Sequence, residues 1–384
     1  MLLIKNGVLH TMCDEHPVRA DLLADNGKIV RIAEDITPSG DMELVDARGL
    51  EVYPGFIDAH SHIGISEDKA GRQGDDCNES TNPVTPCMRA IDAINPMDSA
   101  FHNAIAAGIT GAMVGPGSAN VIGGQFAFIK TDGRRIDDMA VLAPAAIKIA
   151  FGENPKGCYG INGNMPLTRM AIASLIREEL YLARQYFDDE KNGGGFERSF
   201  GMECYRELFE GKIPLKAHVH RTDDIFTAIR IAEEFGLGLT LDHCTEGHLV
   251  AEEIAESGFP AIVGPSIASR NKLEVSQLDF KTAGVLHRAG VTVAITTDHP
   301  VSRIQYLPLC AALAAKEGLG KDEALRAITV NAARICRVDD RLGSLEAGKD
   351  ADLALWDGSP LDIFSSAVMT VINGEIVYDK KLPQ

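Results

Sequence analysis

The chain has 384 residues and a formal net charge of −18, so a nucleic-acid backbone is an unfavourable partner. No apolar run approaches the length of a bilayer span, and the N-terminal run is too short for a secretory signal. The eight cysteines are scattered without a Cys-x-x-Cys pair, which favours reduced thiols and a cytoplasmic location over a disulfide framework. This length predicts one barrel-sized domain with a smaller module.

Both ends of the chain are predicted to be β structure. Residues 2–9 and 21–32 are extended runs, the second folded around the turn pair Asn26-Gly27. Residues 351–356 and 368–378 repeat the pattern near the C-terminus. Short β segments are most stable when paired, so residues 1–55 and 340–384 are predicted to form one composite β-sandwich.

The middle of the chain, residues 56–339, alternates apolar strands with helical patterns, which is typical of a parallel sheet. Seven strands are expected near positions 52, 109, 145, 214, 238, 261 and 291, and residues 139–142 are assigned as the eighth. Residues 121–130 are expected to be an extended excursion beyond the barrel. The count predicts a (β/α)8 barrel of the TIM type. The alternative, a doubly wound sheet, is disfavoured because no Gly-x-Gly-x-x-Gly follows the first strand.

Two histidines close the first barrel strand. In an extended chain, residues i and i+2 point to the same face, so His60 and His62 present two imidazoles side by side. Such a pair is suited to chelation of one divalent metal.

Other strand ends carry the same types of side chain. His218 and His220 follow one strand, His243 ends the next, and Asp298 follows the last. Because the C-terminal ends of barrel strands meet at one face, we expect these side chains to converge on a metal site. Strand alternation points Lys148 and Asp298 inwards, whereas His243 shares a face with Leu241 and requires an irregular strand end there.

These motifs resemble those of the amidohydrolase superfamily of metal-dependent hydrolases, and especially its imidazolonepropionase-related branch, which includes prolidases. The resemblance is carried by residues 54–62, 217–220, 241–246, 297–298, 327–333 and 343–352. It implies that His60 and His62 bind one metal ion and that His218 and His243 bind a second. It also implies that Asp298 contacts metal and shuttles protons.

One ligand position has two candidates. Similar proteins with two metal ions bridge them with a carboxylated lysine or a glutamate at the end of an intermediate strand. Lys148 has the inward direction and the length, while Glu153 follows Gly152, where the chain can bend over the barrel mouth. We favour Glu153 at this point because a glutamate needs no modification.

The ligand types predict hydrolysis by metal-activated water. A divalent ion, with zinc favoured and one or two ions allowed, lowers the pKa of a bound water towards about 7. Asp298 then acts as general base and general acid, and a neutral His220 stabilises the oxyanion. The bond cleaved is predicted to be a C–N bond of an amide, a cyclic amide or a dipeptide. The alternatives are a deaminase of an amino-heterocycle and a metal-dependent isomerase or lyase.

The substrate is predicted to be a small molecule, with no nucleic-acid or membrane partner. Loops over the barrel mouth should select it, and Gln125 lies in a glycine-rich loop after the second strand. Arg221 and Arg303 are candidates to bind a substrate carboxylate. A homo-oligomer is compatible with the sequence, which does not define the oligomeric state.

Overall fold

The computed structural model describes residues 1–14, 16–68, 71–161, 163–193 and 197–381. Its strands build two eight-stranded sheets. The strands are β1 (Leu2–Leu9), β2 (Val18–Asp25), β3 (Lys28–Ala33), β4 (Glu43–Asp46), β5 (Glu51–Pro54), β6 (Phe56–Ser61), β7 (Ile109–Val114), β8 (Ile122–Lys130), β9 (Ala140–Ala150), β10 (Leu215–Val219), β11 (Leu239–His243), β12 (Ala261–Val263), β13 (Val293–Ile295), β14 (Leu353–Trp356), β15 (Ala367–Ile372) and β16 (Glu375–Asp379).

The helices lie mainly between the strands of the second sheet. They are α1 (Ser99–Ile105), α2 (Ile136–Met139), α3 (Glu153–Gly160), α4 (Arg169–Lys191), α5 (Phe200–Glu203), α6 (Arg206–Phe209), α7 (Thr222–Phe235), α8 (Ala251–Ser257), α9 (Thr282–Arg288), α10 (Leu307–Ala314), α11 (Lys321–Ala327) and α12 (Val330–Ile335). Of these, α7 follows β10 directly and ends at Gly236, whose left-handed φ of 65° suits the residue that caps a helix C-terminus.

The first sheet joins the two ends of the chain. Its strand order is β16-β15-β14-β5-β1-β2-β3, with β4 paired to β1. Two tight hairpins belong to it, and each turns on an Asn-Gly pair with positive φ at both residues: Asn26-Gly27 and Asn373-Gly374. The antiparallel contact between β5 and β14 links the N-terminal and C-terminal strands. The predicted sheet of both termini is therefore confirmed, while the domain limits 1–55, 56–339 and 340–384 stay a prediction.

The second sheet is a nearly closed barrel of strands β6 to β13, which confirms the predicted barrel. Two details of the strand assignment are wrong. Residues 122–130 are not an excursion but strand β8, which runs antiparallel to both of its neighbours. Residues 139–142 are not a separate strand, because Ala140 begins the eleven-residue strand β9. Between the first and last strands, the backbone N–H of His62 donates to the carbonyl of His299 at 3.0 Å.

A buried ionic cluster connects the two sheets. The Nζ of Lys130, at the end of β8, donates to Asp350 at 2.8 Å and to Asp352 at 2.9 Å. Asp350 also accepts hydrogen bonds from Lys28 at 2.5 Å and from Arg341 at 2.8 Å. We call these five residues the junction cluster.

The prediction that the cysteines are reduced thiols is wrong for one pair. Cys87 and Cys204 form a disulfide, with their Cα atoms 5.5 Å apart. The scattered spacing of the cysteines does not indicate this pair, because the fold brings together residues 117 positions apart. The other six cysteines are free.

Membrane insertion of a helix has no support in the part of the chain that the structure describes. No helix there combines the length and the apolar character that crossing a bilayer requires.

Candidate metal centre

The barrel brings the predicted strand-end side chains together at one face. His60 lies in β6 and His62 directly follows it, His218 lies in β10 and His220 directly follows it, and His243 ends β11. The imidazole ring of His243 lies 5.0 Å from that of His60 and 4.5 Å from that of His218, measured between ring centroids. We call these five histidines, with Asp298 and Glu274, the mouth cluster.

Asp298 lies between the first two histidines. Its Oδ1 is 3.2 Å from Nε2 of His62 and 3.5 Å from Nε2 of His60. Burial alone would raise the pKa of Asp298, but the neighbouring His243 and His62 lower it, so its carboxylate is held in the charged form. The structure thus places Asp298 where the sequence predicted it.

Irregular backbone aims two of these side chains. His243, Cys244 and Asp298 have positive φ values of 71°, 48° and 51°, a conformation that costs energy in residues with a Cβ. The left-handed turn after β11 explains how His243 reaches the cluster although strand alternation places it with Leu241. Such strain concentrates at functional sites, because the surrounding fold must hold it in place.

Three histidines have their ring nitrogens oriented by an acceptor behind them. Nδ1 of His60 donates to Asp242 at 2.8 Å, Nδ1 of His62 to the carbonyl of Gly115 at 2.6 Å, and Nδ1 of His243 to the carbonyl of Gly264 at 2.7 Å. Because these oxygens only accept hydrogen bonds, each ring in its neutral form keeps its Nε2 lone pair for another partner. Metal-binding histidines are fixed in this way in proteins.

Asp242 is a residue whose role sequence reasoning missed. It is fully buried on β11, and its Oδ1 accepts hydrogen bonds from Lys216 at 3.2 Å and from Thr240 at 2.9 Å while its other oxygen holds His60. The signal is present in the sequence, because Asp242 stands between Leu241 and His243 in a strand that is buried throughout.

The electrostatics of the cluster favour the neutral form of three histidines and the protonated form of His62. Burial lowers the pKa values of His60, His218 and His220 well below the usual range of histidine. Burial would lower the pKa of His62 too, but the Cys77 thiol and the Asp298 carboxylate together raise it to about 10.

The donor set fits a divalent cation. In the described part of the chain, the Nε2 of His243 and the Oε1 of Glu274 are buried without a hydrogen-bond partner. Ligand atoms of His60, His243 and Asp298 lie within 4.8 Å of one another, and so do those of His218, His220 and Glu274. Imidazole nitrogens with carboxylate oxygens are typical zinc ligands, and other divalent transition metals also accept them.

Lys148 and Glu153 are placed very differently. The Nζ of Lys148 is buried 3.4 Å from Nε2 of His60, inside the barrel as strand alternation predicted. Glu153 begins α3, and its Oε1 accepts a hydrogen bond from the backbone N–H of Glu274 at 3.1 Å. The geometry therefore brings Lys148, and not the favoured Glu153, to the histidines.

The predicted substrate-binding residues lie outside the cavity over the cluster. Gln125 points to the outer side of β8, where its side chain reaches the carbonyl of Cys204 at 3.5 Å. Its neighbour Phe126 faces the interior instead, with its ring 5.4 Å from that of His60. Arg221 pairs with Asp223 at 3.0 Å, and Arg303 is exposed and is not among the residues that line the cavity.

A cavity of about 460 Å³ opens above the cluster. Its walls include His62, Cys77, Ser118, Asn154, His218, His220, His243, Thr245, Lys272 and Asp298. The volume is in the range of sites that take small molecules. Lys272 brings an ammonium group to this wall, at a position that no strand-end motif includes.

Comparisons with known proteins agree with this fold. A profile of the Amidohydrolase family matches residues 202–381. The crystal structure of an amidohydrolase from Thermotoga maritima MSB8 is 41% identical, covers 99% of this chain and 100% of its own, and superposes with a TM-score of 0.95.

Curated relatives are more distant. "Amidohydrolase tasK" of Hapsidospora irregularis is 28% identical over 94% of this chain, which spans only 40% of that protein's length. An imidazolonepropionase of Rhizorhabdus wittichii is 26% identical over 82% of this chain and 81% of its own. The chain belongs to the amidohydrolase family, a family of hydrolases that act on carbon–nitrogen bonds. The resemblance that the strand-end motifs indicated is thereby confirmed.

Proposed function

We propose that the protein is a metal-dependent amidohydrolase that cleaves an amide or cyclic amide bond of a small molecule, dipeptides included. The observation that carries this proposal is the mouth cluster itself. His60 and His62 turn their Nε2 atoms towards Asp298, and the Nε2 of His243 is buried without a hydrogen-bond partner, beneath a cavity of about 460 Å³. A structural cluster would pair all of its buried nitrogens, whereas a metal-binding cluster leaves ligand atoms available.

The ligands that support this role are His60, His62, His218, His243 and Asp298, with zinc favoured by the imidazole-rich set. A bound divalent ion would supply Lewis acidity that activates water and polarises a carbonyl group.

Asp298 is suited to move protons. Its backbone N–H donates to Thr296 Oγ1 at 3.0 Å, which fixes the turn, and its carboxylate stays charged because His243 and His62 lower its pKa. A charged carboxylate at the floor of the cavity can take a proton from water and return it to the leaving nitrogen. His220 is kept neutral because burial lowers its pKa, and with its Nδ1 at Thr245 it presents only its Nε2 at the same wall.

We propose Lys148, rather than Glu153, as the bridging ligand. Burial lowers the pKa of Lys148 to about 8, so a useful fraction of its amine is neutral near pH 8 and can react with carbon dioxide to give a carbamate and a proton. The carboxylate of Glu153 is occupied by the Glu274 backbone instead.

Substrate recognition is assigned to Lys272. Its side chain is 41% exposed at the cavity wall and contacts Asn154 Oδ1, so it can meet a substrate carboxylate, which neither Arg221 nor Arg303 can do from outside the wall. We therefore expect a substrate that carries a carboxylate next to the scissile bond.

The test is a substrate panel on zinc-, manganese- and cobalt-loaded protein: acyl-amino acids, dipeptides, cyclic amides and amino-heterocycles. Release of a new carboxylate together with an amine supports amide hydrolysis. Release of ammonia would identify a deaminase, and a product of unchanged composition would identify an isomerase; either contradicts the proposal. Lys272→Ala should raise KM for carboxylate-bearing substrates and leave KM for their uncharged amide analogues unchanged.

A further inference from the structure

The segment between β12 and α9 places the carboxylate of Glu274 at the barrel mouth. It contains one short 3-10 turn, Leu273–Val275. Glu274 in this turn is 1% exposed, while its neighbour Leu273 is 68% exposed. Burying a carboxylate and exposing a leucine is the reverse of what solvation favours, so a specific partner is required for Glu274.

The partners of Glu274 satisfy only half of its carboxylate. Oε2 accepts a hydrogen bond from the backbone N–H of Glu153 at 2.7 Å. Oε1 has no hydrogen-bond partner among the residues that the structure describes. Lys272 Nζ is 3.9 Å from that oxygen, beyond hydrogen-bonding distance, and its side chain is 41% exposed. A buried carboxyl oxygen therefore lies within the mouth cluster without a hydrogen-bond partner among the described residues.

Two neutral imidazoles face the same point. Nε2 of His220 is 4.0 Å from Oε1 of Glu274, and Nδ1 of His220 is held by Thr245 Oγ1 at 2.7 Å. The rings of His218 and His220 lie 4.6 Å apart, because His220 follows β10 directly and residues i and i+2 of an extended chain share a face.

Donor atoms of these three residues lie within 4.8 Å of one another, separate from the group formed by His60, His243 and Asp298. Ligand atoms that lie about 2.0–2.2 Å from a tetrahedral zinc ion are roughly 3.3 Å from one another. The three donor atoms therefore need to move only slightly closer together to bind one ion.

We propose that His218, His220 and Glu274 form a second divalent-cation site, with the carboxylate supplied by the segment between β12 and α9. The proposal rests on the metal dependence put forward above and adds a ligand from a loop that no strand-end motif includes. Its consequence is mechanical: cation binding fixes this segment, and with it Lys272, across the cavity. Metal loading and the shape of the substrate site are then coupled.

The test is zinc titration of chelator-treated protein by calorimetry, with stoichiometry checked by elemental mass spectrometry. Wild type should bind two ions per chain. Glu274→Gln should keep one ion at unchanged affinity and weaken the second at least tenfold. The matched control is Glu246→Gln, a nearby half-buried carboxylate that accepts a backbone hydrogen bond from Thr222 at 2.8 Å and belongs to neither donor group. This control should bind both ions as wild type does.

Hydrogen exchange gives a second measurement that does not depend on activity. Zinc should protect residues 265–278 in wild type and in Glu246→Gln, but not in Glu274→Gln. If Glu274→Gln does not fold, His220→Gln removes another ligand of the same site and should give the same result.

Two outcomes would overturn the second site: a wild-type chain that binds a single ion, or a Glu274→Gln chain that binds two with wild-type affinity. The proposed function fails separately, through a chain that binds no divalent ion or a panel in which no amide is cleaved.

Discussion

The junction cluster and the mouth cluster both bury charged groups, and they differ in how completely their polar atoms are paired. In the junction cluster, Lys130 and Asp350 reach three partners each, and only one oxygen of Asp352 lacks a hydrogen bond in the described structure. In the mouth cluster, His243 and Glu274 leave buried donor or acceptor atoms unpaired. Paired buried charge ties the two sheets together, whereas unpaired buried charge is available for a ligand.

The comparison predicts opposite responses to the loss of one carboxylate. The largest effect is expected from Asp298→Asn in the mouth cluster. Turnover on the best substrate of the panel should fall about 1,000-fold, because the proton acceptor is gone, while most of the metal remains bound. Thermal unfolding should not shift downwards, since the carboxylate has no complete set of partners to lose. A variant with wild-type kcat would remove Asp298 from its assigned role.

Asp350→Asn in the junction cluster should act on stability instead. Lys130, Lys28 and Arg341 would lose their shared anion, and the free energy of unfolding should fall by about 3 kcal/mol. Metal content should not change. The control is Asp137→Asn, which removes an exposed partner of Arg135 and should leave the denaturation midpoint in place. Equal midpoints for both variants would show that the junction cluster does not hold the sheets together.

Lys148 and Glu153, which lie beside the mouth cluster, offer a sharper test of its ligands. Lys148→Met should weaken zinc binding about 100-fold, or about 2.7 kcal/mol, because a bridging ligand is lost. Glu153→Gln should retain wild-type affinity, since its carboxylate accepts only a backbone hydrogen bond. The reverse pattern, with loss in Glu153→Gln alone, would restore the interpretation that the sequence favoured.

Acid should weaken the junction cluster over a defined pH range. Burial alone would raise the pKa of Asp350, but hydrogen bonds from Lys130 and Lys28 bring it to about 2. The unfolded aspartate titrates near 3.9, so between these values the unfolded chain binds more protons. The stabilisation is complete above about pH 4 and is lost as the pH falls towards 2, a change of about 2 kcal/mol. In Asp350→Asn this part of the acid dependence should disappear, which unfolding curves at several pH values would show.

The sequence predicted the half of the site that depends on local spacing. His60 with His62, and His218 with His220, follow from the two-residue repeat of a strand, and the barrel brings strand ends together. Asn26-Gly27 predicted a terminal hairpin for the same local reason.

The rest depends on contacts that no local pattern reports. Glu274 sits in an irregular segment more than fifty positions from His220, and only the fold shows that its carboxylate is buried. The antiparallel direction of β8 is not predictable from the sequence, because the residue pattern of a strand does not indicate its direction in the sheet. Glu153 and Lys148 were ranked by chemistry alone, and the backbone contact of Glu153 was not visible in the sequence.

The most direct test of the central claim is the divalent-metal content of the chain with and without its first histidine pair. Wild type reconstituted with zinc and passed through gel filtration should retain zinc, whereas the His60→Ala, His62→Ala double variant should lose at least one equivalent and keep its fold. His287→Ala, at a half-exposed side chain outside the mouth cluster, should match wild type. A wild-type chain without zinc, or a double variant with wild-type content, would contradict the account.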